Sequence, residues 1–202
     1  MTVNLQKGQK VDLSKGEASL SKIMIGLGWD PVAQAEGKGL LGGIFRKAPE
    51  NIDCDASVIM LDANDKLTSN RDIVYFGNLK SACGSVRHTG DNLTGDGDGD
   101  DEQILVDLSK VPKKINKLVF VVNIYDCTRR NQHFGLIRNA YIRVVNSTTR
   151  QEFIKYNLSD DYSAKTCLIT GEIYRHGDGW KFAAIGEGTN DDSLKSIVAK
   201  YC

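Results

Sequence analysis

The stretch Leu168–Ile185, LITGEIYRHGDGWKFAAI, decides how this chain folds. Two runs rich in β-branched and aromatic residues, Leu168–Tyr174 and Trp180–Ile185, flank His176-Gly177-Asp178-Gly179. A Gly-Asp-Gly turn between two such runs predicts a β-hairpin, because glycine reaches the left-handed backbone region that tight hairpin turns require. The same signal recurs outward in both directions. Ile23, Ile25 and Leu27 alternate with Met24 and Gly26 until Gly28-Trp29-Asp30-Pro31 ends the run. Short apolar runs follow at Val58–Leu61, Ile73–Phe76, Ile104–Leu108, Leu118–Ile124, Tyr141–Val145 and Phe153–Tyr156. Eight or more such strands with turn residues between them predict an all-β sandwich or barrel, not βαβ units. One helix is expected near the C-terminus, where Asp191 or Asp192 can cap a run with Leu194, Ile197, Val198 and Tyr201 on one face. The glycine-rich segment 31–51 breaks the pattern and reads as a flexible loop insertion within one domain spanning 1–202.

Composition narrows the function. Lysine plus arginine and aspartate plus glutamate number 26 each, so the chain lacks the basic footprint of a nucleic-acid binder. The five cysteines are odd in number, widely spread and without a C-x-x-C pair, which is the usage of a reducing compartment. His88, His133 and His176 show no zinc-ligand spacing with them. The polar N-terminus lacks a signal-peptide core, and no stretch of the chain approaches 18 consecutive apolar residues. The expectation is a cytoplasmic protein.

The informative charge is local. Residues 91–102, DNLTGDGDGDDE, carry six carboxylates: Asp91, Asp96, Asp98, Asp100, Asp101 and Glu102. Two carboxylates about 4 Å apart repel by roughly 1 kcal/mol in water and about 4 kcal/mol at an effective dielectric of 20. A folded loop that gathers several needs full solvation or a cation. Gly95, Gly97 and Gly99 let the backbone turn carbonyls and alternate carboxylates toward one point, and Asn92 and Thr94 add neutral oxygen donors. That is the supply calcium needs, with six to eight oxygens at about 2.3–2.6 Å. The loop is not an EF-hand: Leu93 and Gly95 stand at the third and fifth positions, and a strand pattern follows instead of a helix. Further ligands must come from elsewhere. Asp53 and Asp55, Asp126, and Asp160 with Asp161 all lie at strand ends, and Asp55 is the preferred partner.

At NLQKG, IGLGWD, DCDASVIML, VYFGNLKSACGSVRHTGDNLTGDGDGDDE, FVVNIYD, FGLIRNAYIRV, YNLSDDYSAKT and GEIYRHGDGWKFAAIGEG the chain resembles the TerD family of tellurium-resistance and stress-response proteins, in family order and over nearly its whole length. The resemblance implies a single β-sandwich that binds calcium, in a bacterial cytoplasmic setting tied to tellurite resistance and tolerance of phage, colicins and chemical damage. Its members are not established enzymes. Carried over by position, Asp91, Asn92, Asp100, Asp101 and Glu102 match the signature string, and Asp55 matches the acid of the Asp-Ala-Ser stretch. Asp96 and Asp98 stand where longer glutamates are common in relatives, and the insertion between Trp29 and Asp53 is longer than the family pattern.

The expected function is therefore a calcium-dependent scaffold or sensor, meeting other proteins of the same stress system and holding one ion or two. A metal-dependent hydrolase is the alternative, with His88 nearby in sequence. No G-x-S-x-G elbow or G-x-x-x-x-G-K-[ST] phosphate loop supports catalysis. A calcium-dependent membrane-surface binder is the third reading, resting on the apolar segment Leu40–Phe45 alone.

Overall fold

The computed structural model describes residues 2–14, 20–31, 52–90 and 99–202. The strands in chain order are β1 (Val3–Leu5), β2 (Lys10–Asp12), β3 (Lys22–Pro31), β4 (Cys54–Leu61), β5 (Ile73–Val74), β6 (Val86–His88) and β7 (Glu102–Asp107), then β8 (Lys117–Ile124), β9 (Ile137–Asn146), β10 (Glu152–Asn157), β11 (Cys167–His176) and β12 (Gly179–Thr189). Two short helices, α1 (Cys127–Arg130) and α2 (Leu194–Val198), complete the named elements. The hairpin of β11 and β12 closes at His176 opposite Gly179, with Gly177 at φ +60° supplying the left-handed turn residue.

Two six-stranded sheets result, ordered β1-β10-β9-β3-β7-β6 and β2-β12-β11-β8-β4-β5. Every pairing is antiparallel except β1 with β10. The fold is the expected all-β sandwich, with twelve strands among the described residues. Three of them have no apolar run in the sequence: β1, β2 and β6 lie at sheet edges and are three residues long, too short for any periodicity to show.

Alternation explains the core. Ile23, Ile25 and Leu27 of β3, Ile142 and Val144 of β9, and Ile104 of β7 meet Ala56, Val58, Phe120 and Phe182 of the facing sheet. The second sheet is covered on its far side as well. There Ile59, Leu61, Val119, Val121 and Cys167 pack under Ile197 and Val198 of α2. Burial on both faces is why β4 and β8 appear in sequence as nearly continuous apolar runs.

Two expectations need correcting. The Trp-Asp-Pro stretch does not end the β3 run: the strand passes through Asp30 to Pro31, with an irregularity between Gly28 and Asp30 where it pairs with β9. The cap of α2 is Ser193, whose hydroxyl accepts the Ser196 N–H. Asp192 takes the Ser193 and Ser196 hydroxyls, and Asp191 pairs with Lys200. The insertion at 31–51, apart from Pro31, lies outside the described residues.

The cysteines yield a direct prediction. Cys54, Cys127 and Cys167 are buried, Cys83 is half-buried and Cys202 is exposed. Burial pushes the Cys167 thiol up to about 12 and Cys54 well above its ordinary value. At Cys83 burial raises the pKa, but hydrogen bonds with the Ser81 and Ser85 hydroxyls outweigh it and hold the thiol below its ordinary value. A chromogenic disulfide reagent at pH ~8 should therefore titrate Cys83 and Cys202 in the folded protein and all five thiols after denaturation. Fast labelling of Cys54 or Cys167 without denaturant would show that burial is not maintained. The raised Cys167 value has a sign: its contribution to stability is full below the unfolded thiol value of about 8.5 and is lost as pH climbs toward the folded value.

Candidate functional site

The acidic segment joins β6 to β7. Beyond the paired residues His88 and Ile104, Thr89 donates both its N–H and its hydroxyl to the Gln103 carbonyl, each at 3.0 Å. The Gly90 N–H donates to His88 Nδ1 at 3.1 Å. On the far side stands Gly99, whose φ of +113° suits glycine alone, and the Asp101 N–H then reaches the Leu27 carbonyl at 2.8 Å. Both ends of the loop are thus bonded at a closed neck. Asp91, Asn92, Asp96 and Asp98 lie outside the described residues.

Three consecutive acids leave the neck in three directions. Asp100 turns to the outer face of the first sheet, where its side chain is fully buried. Arg143 grips it with Nε on Oδ1 at 2.7 Å and Nη2 on Oδ2 at 2.9 Å, the bidentate geometry that makes guanidinium–carboxylate pairs strong. The Tyr141 hydroxyl donates to Gly99 O at 2.7 Å and lies 3.1 Å from Asp100 Oδ1. The carboxylate rests against Gly26, where a Cβ would come within 2.3 Å of it, so the bare strand at this position makes room for the pair. The bond to Asp100 raises the Arg143 pKa. Burial, and then the Asp100 charge, push the Tyr141 phenol up.

Asp101 accepts the Trp29 N–H on Oδ2 at 2.7 Å, stitching the loop to β3. Glu102 turns inward. Its Oε2 accepts the Ala56 N–H of β4 and lies 3.4 Å from His88 Nε2, with both side chains fully buried. Because His88 Nδ1 accepts from Gly90, the imidazole proton belongs on Nε2, facing the carboxylate. His88 is therefore more than the packing residue its alternating strand suggests.

Asp55 takes a different position. It belongs to the face of β4 opposite Cys54 and Ala56, paired across the strand with Asn123, whose Nδ2 lies 3.4 Å from Asp55 Oδ2. Asp53 and Asp55 nonetheless shape one field with Asp101 and Glu102. Burial is the larger cause of the raised Cys54 thiol, and all four charges add to it. The remaining acids serve turns: Asp126 pairs with Arg129, Asp160 with Lys7 at 2.7 Å, and Asp161 accepts the Ser163 N–H. Among the described residues no three of histidine, cysteine, aspartate and glutamate stand close enough to hold one metal ion. Sequence reading missed Arg143 and Tyr141 outright, since their partnership with Asp100 depends on the register of β9 against β3.

Comparison with known proteins completes the picture. The TerD domain model matches residues 1–201. Stress response protein SCP2 of Bacillus subtilis is 61% identical over the full length of both chains. General stress protein 16U of the same organism is 46% identical, and the tellurium resistance protein TerD of an Alcaligenes species 42%, each over all of this chain and 97% of its own. Among solved structures, a Streptomyces coelicolor homologue of the telluride resistance protein TerD superposes with a TM-score of 0.66 at 19% identity, covering 87% of this chain and 94% of its own, a likeness of fold alone.

Proposed function

The chain belongs to the TerD family, and from that premise we propose that it is a non-catalytic calcium-binding protein of a bacterial tellurium-resistance and stress-response system, whose 91–102 loop is the metal site. The observation that carries the reading is the closed neck. Thr89 is bonded to Gln103, and Asp100, Asp101 and Glu102 are fastened to β9, β3 and β4. A donor loop with bonded ends has already lost much of the freedom that ligand binding would otherwise have to remove.

The donor chemistry fits a hard cation in part. Asp100 has both carboxylate oxygens on Arg143 and serves the neck. Asp91, Asp96, Asp98 and Asp101 remain, with Asn92 and Thr94 as neutral donors, and two divalent ions would balance those four charges. Asp55 and Glu102 act outside this set. Calcium would supply charge neutralisation, relieving a repulsion that the apo loop carries. The protein would then act as a scaffold or sensor, presenting the ordered loop to other proteins of the same system.

Thermal unfolding of chelator-stripped protein tests this. Calcium at about 100 times its dissociation constant should add ~2.7 kcal/mol, or roughly 5–10 °C for a chain of this size. An equal shift with magnesium, or none with calcium, would remove the loop as a calcium site.

A further inference from the structure

Ile23, Ile25 and Leu27 of β3 fill the core, so Gly26 and Gly28 lie together on the outer face of that strand. Their partners across the ladder are Arg143 and Tyr141 of β9. A Cβ at Gly26 would come within 2.3 Å of the Asp100 carboxylate, and one at Gly28 within 2.5 Å of the Tyr141 ring. The two glycines therefore form a notch, and the groups that clamp the returning leg of the acidic loop are seated in it.

Two contacts fix the Tyr141 ring. It lies against Gly28, and the Lys155 ammonium stands 4.3 Å from its centroid. A ring held this way sets its hydroxyl at one point, where it donates to the Gly99 carbonyl at 2.7 Å. Gly99 is the left-handed residue through which the loop returns, and the Asp101 N–H is bonded to Leu27 just beyond it. An aromatic ring laid over a cross-strand glycine is also a way to steady a sheet. Phenylalanine would serve that purpose equally well. The hydroxyl is the part that packing alone does not need, and it is spent on the backbone of the loop.

We propose, resting on the calcium reading of the 91–102 loop, that Tyr141 and the Gly28 position that seats it are positioning residues that set the calcium affinity of the loop. They act through the backbone of the returning leg, not as ligands. By holding the Gly99 carbonyl they fix the approach to Asp101 before the metal arrives, so binding has less freedom left to remove. Loss of the hydroxyl releases that carbonyl and leaves the Arg143–Asp100 pair intact. Affinity then falls while the folded state is nearly kept.

Calcium titration of the full chain by chelator competition decides the matter. Tyr141→Phe should raise the calcium dissociation constant about five- to tenfold, which is what one hydrogen bond is worth. Its calcium-free unfolding midpoint should fall by no more than about 4 °C. Gly28→Ala keeps the hydroxyl but pushes the ring off its seat, so it should weaken calcium to a similar extent. The double variant should bind no more weakly than either single one, because both remove the same contact. Tyr162→Phe is the control: it removes a like bond, from the Tyr162 hydroxyl to the Gly186 carbonyl at 2.9 Å, and should leave the affinity unchanged. In chelator, the Asp101 N–H should exchange faster in Tyr141→Phe, a readout that needs no metal. An unchanged dissociation constant in Tyr141→Phe, with the unaltered chain binding calcium, would overturn the proposal and leave the loop reading standing. An equal loss in Tyr162→Phe, or additive losses in the double variant, would overturn it too. No calcium binding by the unaltered chain would overturn both.

Discussion

Arg143→Ala should lower the unfolding midpoint by about 6–12 °C, with or without calcium. The cause is what the substitution leaves behind. The Asp100 side chain is fully buried, and its bidentate partner is 29% exposed. Removing one member of a buried pair strands the other charge and costs about 3–5 kcal/mol, with the lower end apt here because Arg143 is partly solvated. The carboxylate would keep only the Gln103 amide at 3.3 Å and the Tyr141 hydroxyl, whose proton the Gly99 carbonyl also draws. Replacing both partners at once, as Arg143→Met with Asp100→Asn, should recover most of the loss, because no charge is then left buried. The contrast with Asp96→Asn plus Asp98→Asn is the informative part. Those two should leave the chelator-treated protein no less stable, since they remove like charges, and reduce the calcium-dependent rise. A midpoint fall below about 2 °C in Arg143→Ala would reduce the pair to an ordinary surface ion pair worth ~1 kcal/mol or less.

The structure shows which kinds of information a sequence carries. The β11–β12 hairpin was legible because both of its determinants are local, a period of two and a Gly-Asp-Gly turn. The central strands β4 and β8 were legible as strands because burial on two faces leaves long apolar runs. Edge strands such as Val3–Leu5 and Lys10–Asp12 were not, since they exist through pairing with β10 and β12 and carry no pattern of their own. Trp29-Asp30-Pro31 looked like a stop because proline lacks a donor, yet β9 continues to pair alongside it.

The acidic string was legible as charge and opaque as geometry. An extended chain would put Asp100 and Glu102 on one face, as the alternation of strands demands. The chain bends at Asp101 and β7 begins only at Glu102, so Asp100 lies outside the pleat and the two side chains reach opposite sides of the first sheet. Asp55 shows the complementary error. Its position near a strand end suggested convergence on the loop, but the face it occupies is set by its neighbours Cys54 and Ala56, which fill the core and force Asp55 the other way. Convergence of side chains depends on register and face together, and only the face can be inferred from one strand's own sequence.

Glu102→Ala should be comparably damaging, because this side chain ties one sheet to the other. Among the described residues β5 pairs with β4 only at Val58 and Ile59, and none of them forms a strand beside Ala56 at this edge of the second sheet. Glu102, arriving from the first sheet, supplies the acceptor that a longer β5 would have given. Truncation would remove a charge-assisted bond, cost the buried His88 its carboxylate and leave a void, together about 3 kcal/mol or roughly 6–12 °C. Glu102→Gln should cost only about 1 kcal/mol, because both contacts fall on one oxygen and an amide carbonyl can keep them while losing the charge. The decisive comparison is made in chelator. A strut between sheets is missed equally whether or not metal is present, so the Glu102→Ala deficit should persist after calcium is stripped. A deficit that appears only with calcium would make Glu102 a metal ligand, and the link between β7 and β4 would then be a by-product of its position.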